Sequence, residues 1–157
     1  MNITLRKSIE SDLKLFFQNQ ADDEANQMAA FTSKNPNDKD AYISKWTRLM
    51  GNETVHMQTI LVDDNPVGCV VKFVMGGDAD ITYALSKDQW GKGITSIAVQ
   101  QFLQLEKTRP LYGRVAHDNK GSQRILEKAG FQKVGNNFEF ANARGMEIEE
   151  YIYRLDN

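Results

Sequence analysis

Cysteine is almost absent from this sequence of 157 residues, in which Cys69 is the only one. A single thiol excludes an internal disulfide and a cysteine-based metal cluster. Because Cys69 lies within the apolar run VGCVVKFV, we expect it to serve packing rather than nucleophilic chemistry. Histidine is nearly as scarce, and His56 and His117 show no ligand-like spacing to each other or to Asp80. No metal site is therefore predicted, and His56 is given no role.

An excess of charge of one sign and long apolar runs are also lacking. The 19 basic and 21 acidic residues leave a formal net charge of -2. That balance argues against a general nucleic-acid-binding protein, which usually shows a clustered basic face. No apolar run approaches the length of a membrane span. The N-terminal segment MNITLRKSIESDLK turns polar too early for a signal peptide, so we expect a cytoplasmic protein.

The chain has the size and composition of one globular domain. It is 41% hydrophobic and 25% charged, which are ordinary values for such a domain. It contains no internal repeat, low-complexity segment or linker. We therefore predict a single domain over residues 1–157.

The hydrophobic periodicity predicts a mixed α/β sheet. A first strand, NITLRK, is followed by a helix that Ser8 could cap, and Asn37 or Asp38 could cap a second helix that ends at Gly51. The segment ADDEANQMAAFTSKNPNDK between them is interpreted as a loop that could include a short helical turn. Three β-rich runs then suggest an antiparallel meander: VHMQTILV, PVGCVVKFV and ADITYAL. Strands alternate with helices after it, which indicates a mixed sheet of the α/β or α+β kind.

The junction DQWGKGITS, from Asp88 to Ser96, follows the fourth strand and opens a helix. The first backbone N–H groups of a helix lack partners within the helix, and the helix dipole adds a partial positive charge there. Gly91 and Gly93 would let a phosphate group reach those donors, while Lys92 adds a charge and Thr95 a hydroxyl. The junction is therefore a candidate phosphate-binding loop.

Three alternatives compete for this junction. A Walker-type loop needs four residues between its glycines, whereas this stretch has one. The dinucleotide fingerprint G-x-G-x-x-G would need glycine where Ser96 stands, and it belongs on the first strand of a chain. The third alternative is a turn that needs glycine for backbone reasons alone. The glycines by themselves leave that choice open.

A second motif, NKGSQRILEKAGF, follows WGKGITS after one intervening strand. Together the two resemble the acetyl-CoA-binding core of the GNAT superfamily of N-acetyltransferases, and the opening ITLRKSIESDL is similar to the first strand and helix of that family. Within it, DDEANQMAAF and WGKGI resemble a small uncharacterised bacterial branch near the ribosomal-protein N-acetyltransferases. The resemblance covers nearly the whole chain. It implies the GNAT acyl-CoA N-acyltransferase fold, a single layer of six to seven strands flanked by about four helices.

The resemblance implies acetyl-CoA as cosubstrate and no metal. The pyrophosphate would lie on the glycine loop, and the pantetheine arm would pair with the end of the fourth strand as an added strand would. Asn119 would contact the cofactor arm, with a helix cap as its simpler role. The implied cofactor-binding residues are Tyr83, Ala84, Leu85, Gln89, Trp90, Gly91, Lys92, Gly93, Ile94, Thr95, Asn119 and Ser122.

Two positions depart from the family pattern. The first loop position, usually Arg or Gln in the family, is Asp88, so backbone N–H groups and Gln89 must carry more of the phosphate contact. The tyrosine that protonates the leaving thiolate in many members is replaced by Leu126. Ser122 is the nearest hydroxyl on the matching helix, so it is the candidate acid, with a simple backbone bond as its other interpretation.

The base that would deprotonate the amine has several candidates. Asp80 lies on the fourth strand where many relatives carry a glutamate, although a solvated strand residue is an equal interpretation. His117 stands at the end of the fifth strand, and histidine is the only type of side chain that titrates near neutrality unaided, but a packed histidine is the simpler interpretation. The acidic loop offers three rivals: Asp22, Asp23 and Glu24.

The resemblance implies direct acetyl transfer to a primary amine of a small molecule or a peptide N-terminus. Glu24, Met28 and Phe31 would bind this acceptor, because the corresponding loop of the family covers the acceptor site. The alternative is a non-catalytic GNAT-fold module that binds acetyl-CoA as a sensor or interaction partner. No nucleic acid or membrane partner is expected. The oligomeric state stays open, although a homodimer through the last strands would be common for the family.

Overall fold

The computed structural model describes residues 1–157 and is built on one seven-stranded sheet with the strand order β1-β2-β3-β4-β5-β7-β6. This confirms the predicted mixed α/β sheet. The strands are β1 (Ile3–Lys7), β2 (His56–Val62), β3 (Asn65–Met75), β4 (Asp78–Leu85), β5 (Leu111–Ala116), β6 (Gln132–Ala141) and β7 (Met146–Leu155).

Five helices flank this sheet, one more than the expected number of about four. They are α1 (Leu13–Ala21), α2 (Asp23–Ala29), α3 (Lys39–Met50), α4 (Ile94–Leu105) and α5 (Lys120–Lys128). No helix is long and apolar enough to cross a bilayer. The two faces of the sheet are named here by their helices. Ile81, Phe102 and Leu126 belong to the core of the α4–α5 face, and Leu13, Phe16 and Val71 belong to that of the α1–α3 face.

Strands β2, β3 and β4 form the predicted antiparallel meander, and β1 pairs antiparallel with β2 at its edge. The turns of the meander contain the residues that tolerate a left-handed backbone. Asp63 and Asp64 connect β2 to β3 with φ of 49° and 70°, and Gly76 and Gly77 connect β3 to β4 with φ of 62° and 87°. The meander therefore places β4 in the middle of the sheet, with the glycine loop directly after it.

The contact between β4 and β5 is the only parallel one in the sheet, and it is short. It consists of three residue pairs, Ala79 with Leu111, Asp80 with Tyr112 and Ile81 with Gly113. On its other side β5 pairs with β7 along its whole length, up to Ala116, and β4 continues to Leu85 along β3. The two strands thus separate after their third pair and leave an opening between their C-terminal halves.

Two local predictions need correction. Ser8 does not cap a helix, because its hydroxyl bonds to that of Thr59 at 2.7 Å, and a 3-10 turn at Glu10–Asp12 precedes α1. The predicted loop contains α2, capped by Asp22 through the N–H of Ala25. By contrast, the prediction of Asp38 as the cap of α3 and of Gly51 at its end is confirmed.

Replacing Gly68 with alanine is expected to lower the free energy of unfolding by about 2–3 kcal/mol, as overpacking does in a close-packed interior. A Cβ atom at Gly68 would overlap the carbonyl oxygen of Ala84 on the neighbouring strand. Chemical denaturation monitored by circular dichroism measures the loss. Gly135→Ala is the control, since a Cβ there meets no atom within 4 Å. Equal stability of the two variants would contradict this close approach of β3 to β4.

Candidate active site

The opening between β4 and β5 is bordered on one side by the predicted pantetheine contacts, Tyr83, Ala84 and Leu85. These residues lie beyond the last pair that β4 makes with β5. The carbonyl oxygen of Leu85 accepts a hydrogen bond from the indole Nε1 of Trp90 at 2.9 Å, so it is already used within the protein. The main chain of Tyr83 and Ala84 is the part of β4 that an extended ligand could join.

The glycine loop has the geometry of an open backbone cradle. Gly91 and Gly93 have φ of 78° and 77°, a left-handed conformation that side chains rarely adopt. Gly93 is the N-cap of α4 and supplies no side-chain cap. A Cβ atom at either glycine would meet nothing within 4 Å. The first N–H groups of α4 therefore border free space, as the sequence predicted for a phosphate loop.

The side chains of the other predicted residues of this loop range from packed in the core to exposed at the surface. Ile94 is 1% exposed within the core, and Trp90 packs against the same core, so both offer only backbone groups to a ligand. Thr95 is half-buried, whereas Lys92 is exposed and its Nζ lies 3.5 Å from Oε1 of Gln89. Gln89 and Lys92 also border a cavity of about 390 Å³ beside the β2–β3 turn.

Asn119 uses both halves of its side-chain amide within the protein. Its Oδ1 accepts from the N–H of Ser122 at 3.2 Å and caps α5, while its Nδ2 donates to the carbonyl of Met28 at 3.3 Å. The helix-cap interpretation of Asn119 is thus present in the structure. A contact from Nδ2 to the cofactor arm would require the bond to Met28 to open.

Ser122 pairs with a hydroxyl that the sequence did not indicate. The hydroxyl of Tyr83 lies 2.6 Å from Ser122 Oγ. Burial raises the pKa of Tyr83 to about 12, although the bond to Ser122 acts in the opposite direction. The phenol therefore keeps its proton at neutral pH. Only the main chain of Tyr83 was assigned a role, because no motif shows that its side chain reaches α5.

Asp80 is buried rather than solvated. It is 4% exposed and belongs to the pair at which β4 still contacts β5. The Nε of Arg114 lies 3.5 Å from its Oδ1, which has no hydrogen-bond partner. Burial raises the pKa of Asp80 above its usual value, and the attraction of Arg114 offsets only part of that rise. A buried carboxylate with an unused oxygen and a raised pKa is suited to accept a proton.

Glu150 is a second buried carboxyl group that the sequence reasoning missed. It is 7% exposed and stands opposite Ala116 in the β5–β7 register. Burial raises the pKa of Glu150, Arg114 opposes that rise, and Glu139 and Asp80 add to it. Asp80, Arg114 and Glu150 therefore form one charged cluster on the α1–α3 face. Its detection required the pairing of strands that lie far apart in the chain.

His117 directly follows β5, as predicted. Its N–H donates to the carbonyl of Glu149 at 3.0 Å, and its carbonyl accepts from Nε2 of Gln123 at 2.9 Å. The residue is half-buried. The backbone of His117 is thus fixed at the C-terminal end of β5, on the β5 side of the opening.

Helix α2 bridges the two loops that border the opening. At its start Glu24 pairs with Lys87, which follows β4, at 2.6 Å. At its end the carbonyl of Met28 accepts from Asn119, which follows β5. Arg144 adds a tie to α2 by donating to the carbonyl of Gln27 at 2.8 Å. We call α2 the strap, because it spans the mouth between these two loops.

The predicted acceptor residues belong to this strap or follow it. Glu24 and Met28 are exposed, and Phe31 is packed against a small core that includes Ala116 and Ile148. Among the rival acids, Asp22 caps the strap by accepting from the N–H of Ala25 at 2.9 Å, and Asp23 is exposed. Asp80 is therefore the buried acid among those that the sequence proposed. No group of three or more acidic, histidine or cysteine residues could hold a metal ion.

A mixed sheet whose central parallel strands separate, followed by an open glycine loop, defines an acyl-CoA N-acyltransferase fold. The family model described as an acetyltransferase (GNAT) domain matches residues 2–132. The chain therefore belongs to the GNAT acetyltransferase family. The predictions of this family, of its fold and of an N-acetyltransferase are confirmed at that level.

Known proteins agree with this assignment. An uncharacterised N-acetyltransferase, p20 of Bacillus licheniformis, is 34% identical over 84 residues, which are 50% of this chain and 47% of that protein. The match thus spans about half the length of that relative.

Two solved structures share the fold along the whole chain. The ribosomal-protein-alanine N-acetyltransferase of Brucella melitensis has a TM-score of 0.81 at 13% identity, over 98% of this chain and 99% of that one. The spermidine N-acetyltransferase of Vibrio cholerae, in complex with CoA and spermine, has a TM-score of 0.78 at 18% identity, over 97% and 95%. At these identities the similarity shows the fold alone.

Proposed function

We propose that this chain transfers an acetyl group from acetyl-CoA directly to a primary amine of a small molecule or of a peptide N-terminus. The observation that carries the proposal is the separation of β4 from β5 after the pair of Ile81 with Gly113. Beyond that pair, the main chain of Tyr83 and Ala84 is available to a pantetheine arm as an added strand. A backbone N–H at this edge would polarise the thioester carbonyl.

The glycine loop would hold the pyrophosphate of the cofactor. The N–H groups from Gly91 to Thr95 border free space at the positive end of α4, and Lys92 is exposed beside them. The CoA complex of the similarly folded spermidine N-acetyltransferase supports this cofactor. Asp88 carries no donor for phosphate, so the backbone supplies most of the contact.

The acceptor amine would approach from the α1–α3 face, where Asp80 acts as the base. An amine must lose a proton before it can attack the thioester carbon. Asp80 is suited to take that proton because its Oδ1 is buried and has no hydrogen-bond partner. Its raised pKa brings the carboxyl group closer to the working pH. His117, at the end of β5, is the other candidate for this step.

The charged cluster favours a cationic acceptor. Asp80 and Glu150 are both more than nine-tenths buried. The positive charge of Arg114 acts on both carboxyl groups and lowers the pKa of each. When both carboxyl groups are ionised, two negative charges face one positive charge. A protonated amine bound beside them would supply the second positive charge and neutralise the cluster. Met28 and Phe31 would form the apolar side of the acceptor site.

Ser122 would protonate the leaving thiolate from the α4–α5 face. It stands in the first turn of α5, fixed by the bond from its N–H to Asn119. Base and acid would thus lie on opposite faces of the sheet, with the thioester between them. We treat residues 1–157 as one acetyltransferase domain, because one sheet runs from Ile3 to Leu155. The cytoplasmic location and the homodimer stay predictions.

A thiol-release assay with acetyl-CoA tests the proposed function. The acceptor panel contains polyamines, amino acids, aminoglycosides and short peptides, with N,N-dimethylated forms of the same amines as controls. We expect saturable, enzyme-dependent thiol release with at least one class of primary amine and none with its dimethylated form, since a tertiary amine cannot form a stable amide. Binding of acetyl-CoA without release for any class would contradict a small-molecule or peptide acceptor.

A further inference from the structure

Tyr83 and Ser122 form the one hydroxyl pair that joins the two borders of the opening. Tyr83 stands on β4 beyond its last contact with β5, and Ser122 stands on the helix that follows β5. Their oxygen atoms are 2.6 Å apart, within the short range of O–H···O bonds. Leu126, one turn further along α5, is apolar and 1% exposed, so it offers no donor at this place.

When Tyr83 is the donor of this pair, one proton is free for a ligand. The N–H of Ser122 is held by Asn119, which fixes the position of Oγ at the start of α5. The Tyr83 hydroxyl also lies 3.3 Å from the carbonyl oxygen of Ser122, but its contact with Oγ, at 2.6 Å, is the shorter one. When Tyr83 donates along this shorter contact, the hydrogen of the Ser122 hydroxyl has no acceptor within the pair. A serine hydroxyl can accept and donate at the same time. Ser122 can therefore donate to a third atom while Tyr83 holds it in place.

We propose that Tyr83 is a positioning residue, whose hydroxyl donates to Ser122 and directs the Ser122 proton toward the sulfur atom of CoA. This inference rests on the proposed function. When the C–S bond of the tetrahedral intermediate breaks, its electron pair goes to sulfur and the Ser122 proton follows. The proton of Tyr83 then replaces it on Ser122, and the Tyr83 oxygen regains a proton from solvent, to which the base releases the proton that it took from the amine.

The surroundings of this pair keep it protonated over the useful pH range. Burial raises the pKa of Tyr83 to about 12. Burial and the bond to Glu127 raise the pKa of Tyr153, the neighbouring phenol on β7, to about 12. The charged residues Lys120 and Arg124 of α5 are exposed. Between pH 7 and 10 neither phenol therefore changes charge, and the thiol of bound CoA would be the group that titrates at this pair.

The test needs no acceptor, because it compares the binding of CoA with that of desulfo-CoA by calorimetry from pH 7 to 10. A donor aimed at sulfur stabilises the thiolate, so the affinity for CoA relative to desulfo-CoA should rise about fivefold with pH in the unaltered chain. We expect this rise to disappear in Tyr83→Phe and in Ser122→Ala. Desulfo-CoA should bind equally to both variants, so the comparison with it removes the effects of groups that do not interact with sulfur and of any structural change.

Tyr112→Phe is the matched control, since this tyrosine lies on β5 beside Asp80 in the register, on the face away from Ser122. It should keep the full pH-dependent rise. A rise that persists in Tyr83→Phe, or a loss of desulfo-CoA affinity equal to the loss of CoA affinity, would overturn the positioning role and leave the proposed function intact. Failure of the unaltered chain to bind either ligand would overturn both.

Discussion

Replacing Gly93 with valine is expected to abolish CoA binding while the fold survives. Gly93 has a φ of 77°, and its Cβ position points into the free space of the proposed pyrophosphate site. A branched side chain there would block the first N–H groups of α4. Loss of two hydrogen bonds to a charged group corresponds to about a 100-fold weaker affinity or more. Calorimetric titration with CoA measures the effect.

Gly76→Val is the matched control for the backbone strain of this substitution. Gly76 also has a positive φ, 62°, with nothing within 4 Å of its Cβ position, but it lies in the β3–β4 turn. A valine in the left-handed region costs about 1–2 kcal/mol of stability, so both variants should melt at similarly lowered temperatures. Only Gly93→Val should lose CoA binding. Retained affinity in Gly93→Val would remove the glycine loop from the cofactor site.

Replacing Asp80 with asparagine is expected to lower kcat about 100-fold or more, the usual contribution of a general base. Asparagine keeps the shape of the side chain but cannot accept the proton of the amine. CoA affinity should stay unchanged, because Asp80 lies on the α1–α3 face, which we propose as the acceptor side of the sheet. Steady-state kinetics with an acceptor from the panel and calorimetry with CoA together separate the two effects.

The control for Asp80 is Asp78→Asn, two residues earlier on the same face of β4 and exposed. It should keep nearly full activity. The pKa of Asp80 is raised above its usual 3.8, so the rate of the unaltered chain should fall as the pH drops through that raised pKa. An unchanged kcat in Asp80→Asn would leave His117 as the remaining candidate base.

Stability should change in the opposite direction to activity in Asp80→Asn. The raised pKa means that the folded chain favours the protonated form. The stability that Asp80 contributes is therefore fully present below its usual pKa of 3.8 and is lost as the pH rises through the raised value. Since asparagine resembles the protonated form, the variant should be at least as stable as the unaltered chain at pH 8. A melting temperature clearly below that of Asp78→Asn would contradict the burial of an unsatisfied carboxylate.

The succession of strands and helices along the chain and the glycine loop were predictable from the sequence, because both depend on local patterns. The alternation of apolar and polar residues identifies the strands of the meander. Two glycines one residue apart, Gly91 and Gly93, indicate a backbone conformation that other residues rarely adopt. The helix α2 was missed because its apolar residues lack a helical period and its cap, Asp22, stands in an acidic run that suggests a loop. Its position depends on ties to distant loops, such as that of Arg144 to the carbonyl of Gln27.

The catalytic surroundings were predictable only in part, for a similar reason. Asp80 could be placed on β4, but its burial depends on strands that come later in the chain. Glu150 reaches the same cluster through the pairing of β7 with β5, which no local pattern reveals. The same holds for the contact of Tyr83 with Ser122, 39 residues apart in the sequence.

A crystal structure of the chain with CoA tests the central claim most directly. We expect the pyrophosphate within hydrogen-bond distance of the N–H groups from Gly91 to Thr95. The pantetheine arm should lie along Tyr83 and Ala84, with the sulfur atom beside the Ser122 hydroxyl. CoA bound elsewhere, for example in the cavity beside the β2–β3 turn with the β4–β5 opening empty, would contradict the account.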